Sequence, residues 1–278
     1  MAKLYAMISH KGGTGRTVAT ANLAYRLVLN GTSVCCVDLD LTSPTFGAVL
    51  NLPGLERGAE DGLHDLLPKS DGQVDRAATE ARTMLKNVWA LNQERDFQGS
   101  KSPTVGAFDL LPGKAEVPPL GSYDLLAGPL SEVLTHLDGY YDVVFVDVRS
   151  GLSDAAMALA KSGLQPDWIV FYRWTPQHIE GAGDLVGKLS GLGSRVLTVR
   201  TAYLDPDKVS ADNKTWYFAQ DRVLKEQEWT NLGTNRLGSV PFDPLLQWRE
   251  KFLTDEDVKR GLASKPTVDA YREVAELL

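Results

Sequence analysis

His10-Lys11-Gly12-Gly13-Thr14-Gly15-Arg16-Thr17 is the stretch that decides how this chain is read. It follows the apolar run Leu4-Tyr5-Ala6-Met7-Ile8 and precedes a helical pattern over residues 18–30. Strand, glycine-rich loop and helix make up the context a phosphate-binding loop requires. The chemistry belongs to the backbone. Glycines let the chain curl until successive N–H groups point inward, and the following helix aims its positive dipole end at the same spot. Thr17 stands where such loops offer a hydroxyl to Mg²⁺. Two letters depart from G-x-x-x-x-G-K-[ST]: His10 replaces the first glycine, and Arg16 replaces the lysine that reaches the β/γ-phosphates. A second basic residue, Lys11, stands near the start of the loop.

Outward from the loop, residues 32–40 read as a buried strand that ends in two acids, Asp38 and Asp40. Asn30-Gly31 stops the intervening helix. A βαβ opening demands a parallel pair and a right-handed crossover. Both acids then lie at the carboxyl edge of the sheet, where open α/β sheets bind ligands. Tyr140-Tyr141-Asp142-Val143-Val144-Phe145-Val146-Asp147 is the strongest strand signal, four apolar residues between acids, as in a strand covered on both faces. An acid closing such a strand is the Walker B pattern, so Asp147 is expected to hold Mg²⁺ opposite Thr17, with Asp38 as the third candidate metal residue.

Lys-Gly-Gly-x-Gly at this place resembles the deviant Walker A loop of the ParA/MinD family of ATPases, in the variant that reads Lys-Gly-Gly-x-Gly-Arg. Asp38-x-Asp40, Asp147, the strand Phe108-Asp109-Leu110-Leu111-Pro112-Gly113 and the turn Pro241-Phe242-Asp243-Pro244 carry the same resemblance. It implies a doubly wound, mainly parallel α/β sheet with helices on both faces, a P-loop NTPase of the SIMIBI type. It implies ATP and Mg²⁺ as ligands. Gly12, Gly13, Thr14, Gly15, Arg16, Thr17 and Val18 would cradle the phosphates, and Pro241 and Phe242 would meet the base. Asp40 would orient the attacking water. Lys11 would reach the partner's phosphates in an ATP-dependent homodimer. The loop Leu41-Thr42-Ser43-Pro44 departs from the family's Pro-Gln-Gly, and Val148-Arg149-Ser150-Gly151 from its Thr-Pro-Pro-Gly. Arg149 is then either a compensating cation or a surface residue.

Between these landmarks the chain alternates strand and helix signals. Residues 73–85 read as helix, 88–91 as a short strand and 95–104 as an exposed polar loop. Helices follow at 123–137, 154–163 and 179–192, with strands at 168–172 and 195–201. Residues 205–235 break the rhythm and read as a helical insertion with Trp216, Tyr217, Phe218 and Trp229. Those aromatics either mark a partner surface or pack back. Terminal helices are expected at 245–253 and 267–278. The whole of 1–278 reads as one domain.

The totals bound what remains. The chain has 278 residues, 43% hydrophobic, and a formal net charge of −7. No general basic coat for nucleic acid exists. A local cluster for DNA would have to come from Arg222, Lys225, Arg236, Lys259, Arg260 and Lys265. Cys35 and Cys36 are adjacent core candidates, too close for an unstrained bridge. No signal peptide and no membrane-length apolar run are evident, so a cytoplasmic location is expected. The last helix carries acids beside its apolar face, which argues against a lipid anchor. A protein partner is expected but unnamed by the sequence.

Overall fold

The computed structural model describes residues 1–91, 105–116, 120–204, 211–233, 235–244, 246 and 252–278. Strand β1 (Lys3–Ser9) runs into the loop and helix α1 (Arg16–Leu29), then β2 (Val34–Leu39). Short helical turns at Phe46–Val49 (α2) and Ala81–Met84 (α3) precede β3 (Lys86–Asn87) and α4 (Val88–Leu91). There follow β4 (Phe108–Leu111), α5 (Tyr123–Asp138), β5 (Val143–Val148) and α6 (Asp154–Lys161). The second half adds β6 (Asp167–Arg173), α7 (Pro176–Gly191), β7 (Val196–Tyr203), α8 (Ala211–Leu232) and β8 (Arg236–Pro241). Two helices close it, α9 (Asp255–Lys259) and α10 (Lys265–Glu276).

The strands form one sheet in the order β3-β4-β2-β5-β1-β6-β7-β8, parallel except for β3. Alternation along each strand divides the core in two. Ala6, Ile8, Val144 and Val146 face a layer built by α5, α6 and α7. Tyr5, Met7, Val143 and Phe145 face α1 and α10. The period of two therefore sends Asp147 to the same face as Phe145 and Asp38 to the same face as Cys36, toward the start of α1. Helix α1 is locked from its far side by buried polar groups. Asn22 Oδ1 accepts from the Leu253 amide at 2.8 Å, and Arg26 donates to the Leu253 carbonyl at 2.7 Å and to Asp255 at 2.9 Å. The doubly wound architecture expected from the motifs is the one observed.

Some local expectations fail. Residues 88–91 form a helical turn, because Asn87 Oδ1 caps it by accepting from the Ala90 amide at 2.7 Å. The strand signal of Val88 and Trp89 comes from burial: Trp89 stacks edge-on to Phe108 and donates to the Gly106 carbonyl. The helix expected over 73–85 shrinks to residues 78–84, since the Arg76 amide is committed to the Asp65 carbonyl at 2.9 Å and Glu80 caps the Ala77 amide. Helix α9 was not anticipated, although Thr254 and Asp257 form a reciprocal capping box. The expected loop at 95–104 lies outside the described residues, as does most of the helix at 245–253.

Helix α8 lies within the segment 205–235 read as helical, of which residues 205–210 and 234 are outside the described residues. Leu224 and Leu232 enter the core and Tyr217 is buried, whereas Phe218 and Trp229 are exposed. These three aromatics thus split between packing and surface, and the Trp216 side chain lies outside the described residues. Among the described residues no helix is long and apolar enough to cross a membrane. Helix α10 packs its apolar face on α1 and β8, the packing role its pattern suggested.

Candidate functional site

The loop after β1 is shaped by two left-handed glycines, Gly13 (φ 76°) and Gly15 (φ 75°). Any side chain is strained in that conformation. A Cβ added at Gly12, Gly13 or Gly15 would meet nothing within 4 Å, so the face these glycines present is open space. Gly15 is the N-cap of α1 and brings no side-chain cap, and the first turn holds no acid. The helix start is therefore left for an outside anion. The loop is braced at both ends. The Gly151 amide donates to the Ser9 carbonyl at 2.8 Å, and Thr201 Oγ1 near the end of β7 donates to the Thr14 carbonyl at 2.7 Å.

His10, which stands where a glycine is usual, is accommodated by a second glycine. Gly181 of α7 lies under its ring, and a Cβ there would come within 2.2 Å of His10 Cδ2. Lys11 is exposed on the rim. His178, beside this cluster, is held below the ordinary histidine value by burial and by the positive charges of Arg173, Lys11 and His10.

The three acids end neighbouring strands. Asp38 and Asp147 are register partners across β2 and β5. Asp38 accepts from the amides of Phe46 at 3.0 Å and Asp40 at 3.2 Å. Burial, then the neighbouring Asp147, pushes its carboxyl up to about 7, and the two amide donors only partly oppose that. Asp40 Oδ1 accepts from the amides of Thr42 and Ser43 and from the Thr42 hydroxyl. It thereby fixes the turn that leaves the sheet.

A raised acid binds its proton more tightly in the folded than in the unfolded state. The charged, buried Asp38 therefore withdraws stability as pH rises from about 4 to 7, and below about 4 the effect vanishes. Asp38→Asn lacks that titration. Its stability relative to wild type should rise between pH 5 and pH 8 in urea titrations; a pH-independent difference would contradict the burial argument.

Arg16 takes an unexpected place. Its Nε donates to Asp147 Oδ1 at 2.7 Å, and its Nη2 donates to Asp147 Oδ2 and to Thr17 Oγ1, each at 3.2 Å. Thr17 Oγ1 in turn donates to Asp147 Oδ2 at 2.8 Å. Arg16 is 10% exposed and Asp147 2%. Burial works against the guanidinium charge, but Asp147, then Asp40 and Asp38, outweigh it and hold Arg16 above its ordinary value. Thr17, Asp38 and Asp147 are an all-oxygen set of the kind magnesium takes. In this arrangement the Thr17 hydroxyl and both Asp147 oxygens are bonded to one another and to Arg16, and Asp38 is bonded to two amides.

Beside the loop lies a cavity of about 350 Å³. Gly13, Thr14, Gly15 and Val18 form one wall, and Pro241 and Phe242 form another. These six expected residues are thus brought together. Arg173, Thr201 and Tyr271 line the same cavity without having been singled out. Arg173 ends β6 and Thr201 lies two residues before the end of β7, so the strand-end rule that found Asp147 applies to them equally. Arg149 is exposed and faces a different cavity, of about 710 Å³, beside Leu41 and Ser153.

A glycine loop between β1 and α1, acids closing β2 and β5, and a doubly wound sheet define a P-loop NTPase fold of the ParA/MinD type. Comparison with known proteins agrees. The family model described as ParA, the NUBPL iron-transfer P-loop NTPases, matches residues 1–83. The septum site-determining protein MinD of Pyrococcus horikoshii, solved with Mg-ADP, superposes with a TM-score of 0.67 at 20% identity, covering 100% of this chain and 96% of that one. The MinC:MinD cell division complex of Aquifex aeolicus gives 0.68 at 18% identity over 99% and 95%. A ParA family ATPase from Chlorobium tepidum gives 0.67 at 16% identity over 100% of both chains. No curated protein matches the chain in sequence. As to iron, the described residues hold no group of three or more His, Cys, Asp or Glu side chains placed to hold a metal ion, and Cys35 and Cys36 are buried.

Proposed function

We propose that this chain is an ATP-dependent molecular switch of the ParA/MinD type, built as one domain, that dimerises on ATP and positions or regulates a protein partner. The observation that carries the reading is the open glycine face of residues 12–15 set against the cavity closed by Pro241 and Phe242. Phosphates would lie on the loop amides and the helix start, and the base against the proline turn. Lys11, exposed on the rim, is available to phosphates held by a second copy. Asp40 would hold the attacking water as hydrolysis resets the switch. Nucleotide that binds the dimer better than the monomer drives association by mass action.

Light scattering after size exclusion tests this. A non-hydrolysable ATP analogue should give a dimer and ADP a monomer. Lys11→Ala should stay monomeric with the analogue, and Asp40→Ala should remain dimeric with ATP itself. Saturable ATP binding with a monomer under every condition would remove the switch reading.

The Arg16–Asp147 pair favours a second reading, a nucleotide-binding regulator without useful hydrolysis. Single-turnover assays separate the two. DNA partition has weaker support: of the six candidate cations, Lys225, Arg236, Lys259 and Arg260 are each paired with an acid.

A further inference from the structure

Arg16 stands at the first position of α1, against the phosphate loop, and its Nε–Nη2 fork is spent on the acid of β5. Three of the five N–H groups of a guanidinium are spent there: Nε–H and one Nη2–H on Asp147, and the other Nη2–H on Thr17. The remaining two, on Nη1, make no hydrogen bond to the described residues. A divalent ion in a phosphate loop needs the Thr17 hydroxyl and the acid ending the Walker B strand. Here a fixed positive charge already has both. It is nine-tenths buried, and Asp147, Asp40 and Asp38 surround it.

We propose that the Arg16 guanidinium takes the place of the divalent cation, so that the chain binds a nucleoside triphosphate with nearly the same affinity whether or not metal is present. Asp147 and Thr17 serve as positioning residues that hold the fork, and Nη1 offers its two N–H groups to phosphate oxygens. A lysine at this position offers a point charge without a fork and leaves the Thr17 and Asp147 oxygens to a metal. The proposal rests on the nucleotide reading above.

Calorimetric titration of wild type and Arg16→Lys with a non-hydrolysable ATP analogue, in excess EDTA and in excess Mg²⁺, tests it. The wild-type dissociation constant should change less than threefold between the two buffers. Arg16→Lys should bind tenfold or more tighter with Mg²⁺ than with EDTA. A wild-type gain of threefold or more from Mg²⁺ overturns the proposal, and that arm decides even if the variant does not fold. Absence of saturable binding in both buffers removes the nucleotide reading itself, whereas binding that depends on metal removes only the role given to Arg16.

Discussion

Asp147→Ala should lower the unfolding free energy by about 3–5 kcal/mol, the cost of stranding one member of a buried ion pair. The size follows from what is left behind. Arg16 keeps its charge, is 10% exposed, and loses both points of its fork. Thr17 loses the acceptor of its hydroxyl as well. Asp38, the register neighbour, is tied to two amides and not free to turn. Replacing both partners, as in Arg16→Met with Asp147→Leu, should recover most of the loss, because a buried pair exchanged for apolar groups of similar volume is often neutral or stabilising. Urea titration of the two variants and wild type gives the comparison. A loss under about 1 kcal/mol for Asp147→Ala, the range of exposed pairs, would show that solvent reaches this pair freely.

Gly181→Ala should disturb the phosphate loop from a helix that does not belong to it. The new Cβ would lie 2.2 Å from His10 Cδ2 and 2.4 Å from Cγ, so the ring must turn away and the loop's first residue with it. Overpacking of this kind costs about 1–3 kcal/mol, here divided between stability and the geometry of the loop amides. The expected readout is weaker nucleotide binding by about tenfold, the equivalent of about 1.4 kcal/mol. His10→Gly in the same chain should restore it, since the glycine usual at that position needs no room on α7. Failure of His10→Gly to restore binding would locate the effect elsewhere on α7.

How far the sequence reaches depends on the distance over which each feature is determined. The strand before the loop, the helix after it and the acids at residues 38, 40 and 147 are local signals: apolar runs, glycines, charged ends. They suffice for the class of sheet and for the place of the loop and the acids at its edge. Pro241 and Phe242 were found through a family turn and do line the cavity. The pairing of Arg16 with Asp147 spans 131 residues, and nothing near either residue announces it. A loop cation looks destined for phosphate until the register of β2 and β5 is known. Likewise, Thr201 reaches the Thr14 carbonyl across 187 residues, and Gly181 reads as an ordinary helix glycine until His10 is placed over it. The misread turn at Val88 fails for a different reason. Val88 is buried and Trp89 packs against Phe108 in a helical turn that one side chain, Asn87, starts.

The central position of β1 has a consequence for the order in which the molecule is made. Its two neighbours, β5 and β6, leave the ribosome more than a hundred residues after it. Until then the first strand has no edge to pair with, and the loop lacks Asp147, Thr201 and the proline turn. The opening βαβ segment, synthesised alone, is therefore a set of unfastened parts. Ligand cannot template early folding, and nascent chains stalled before residue 143 should be open to protease throughout their N-terminal third.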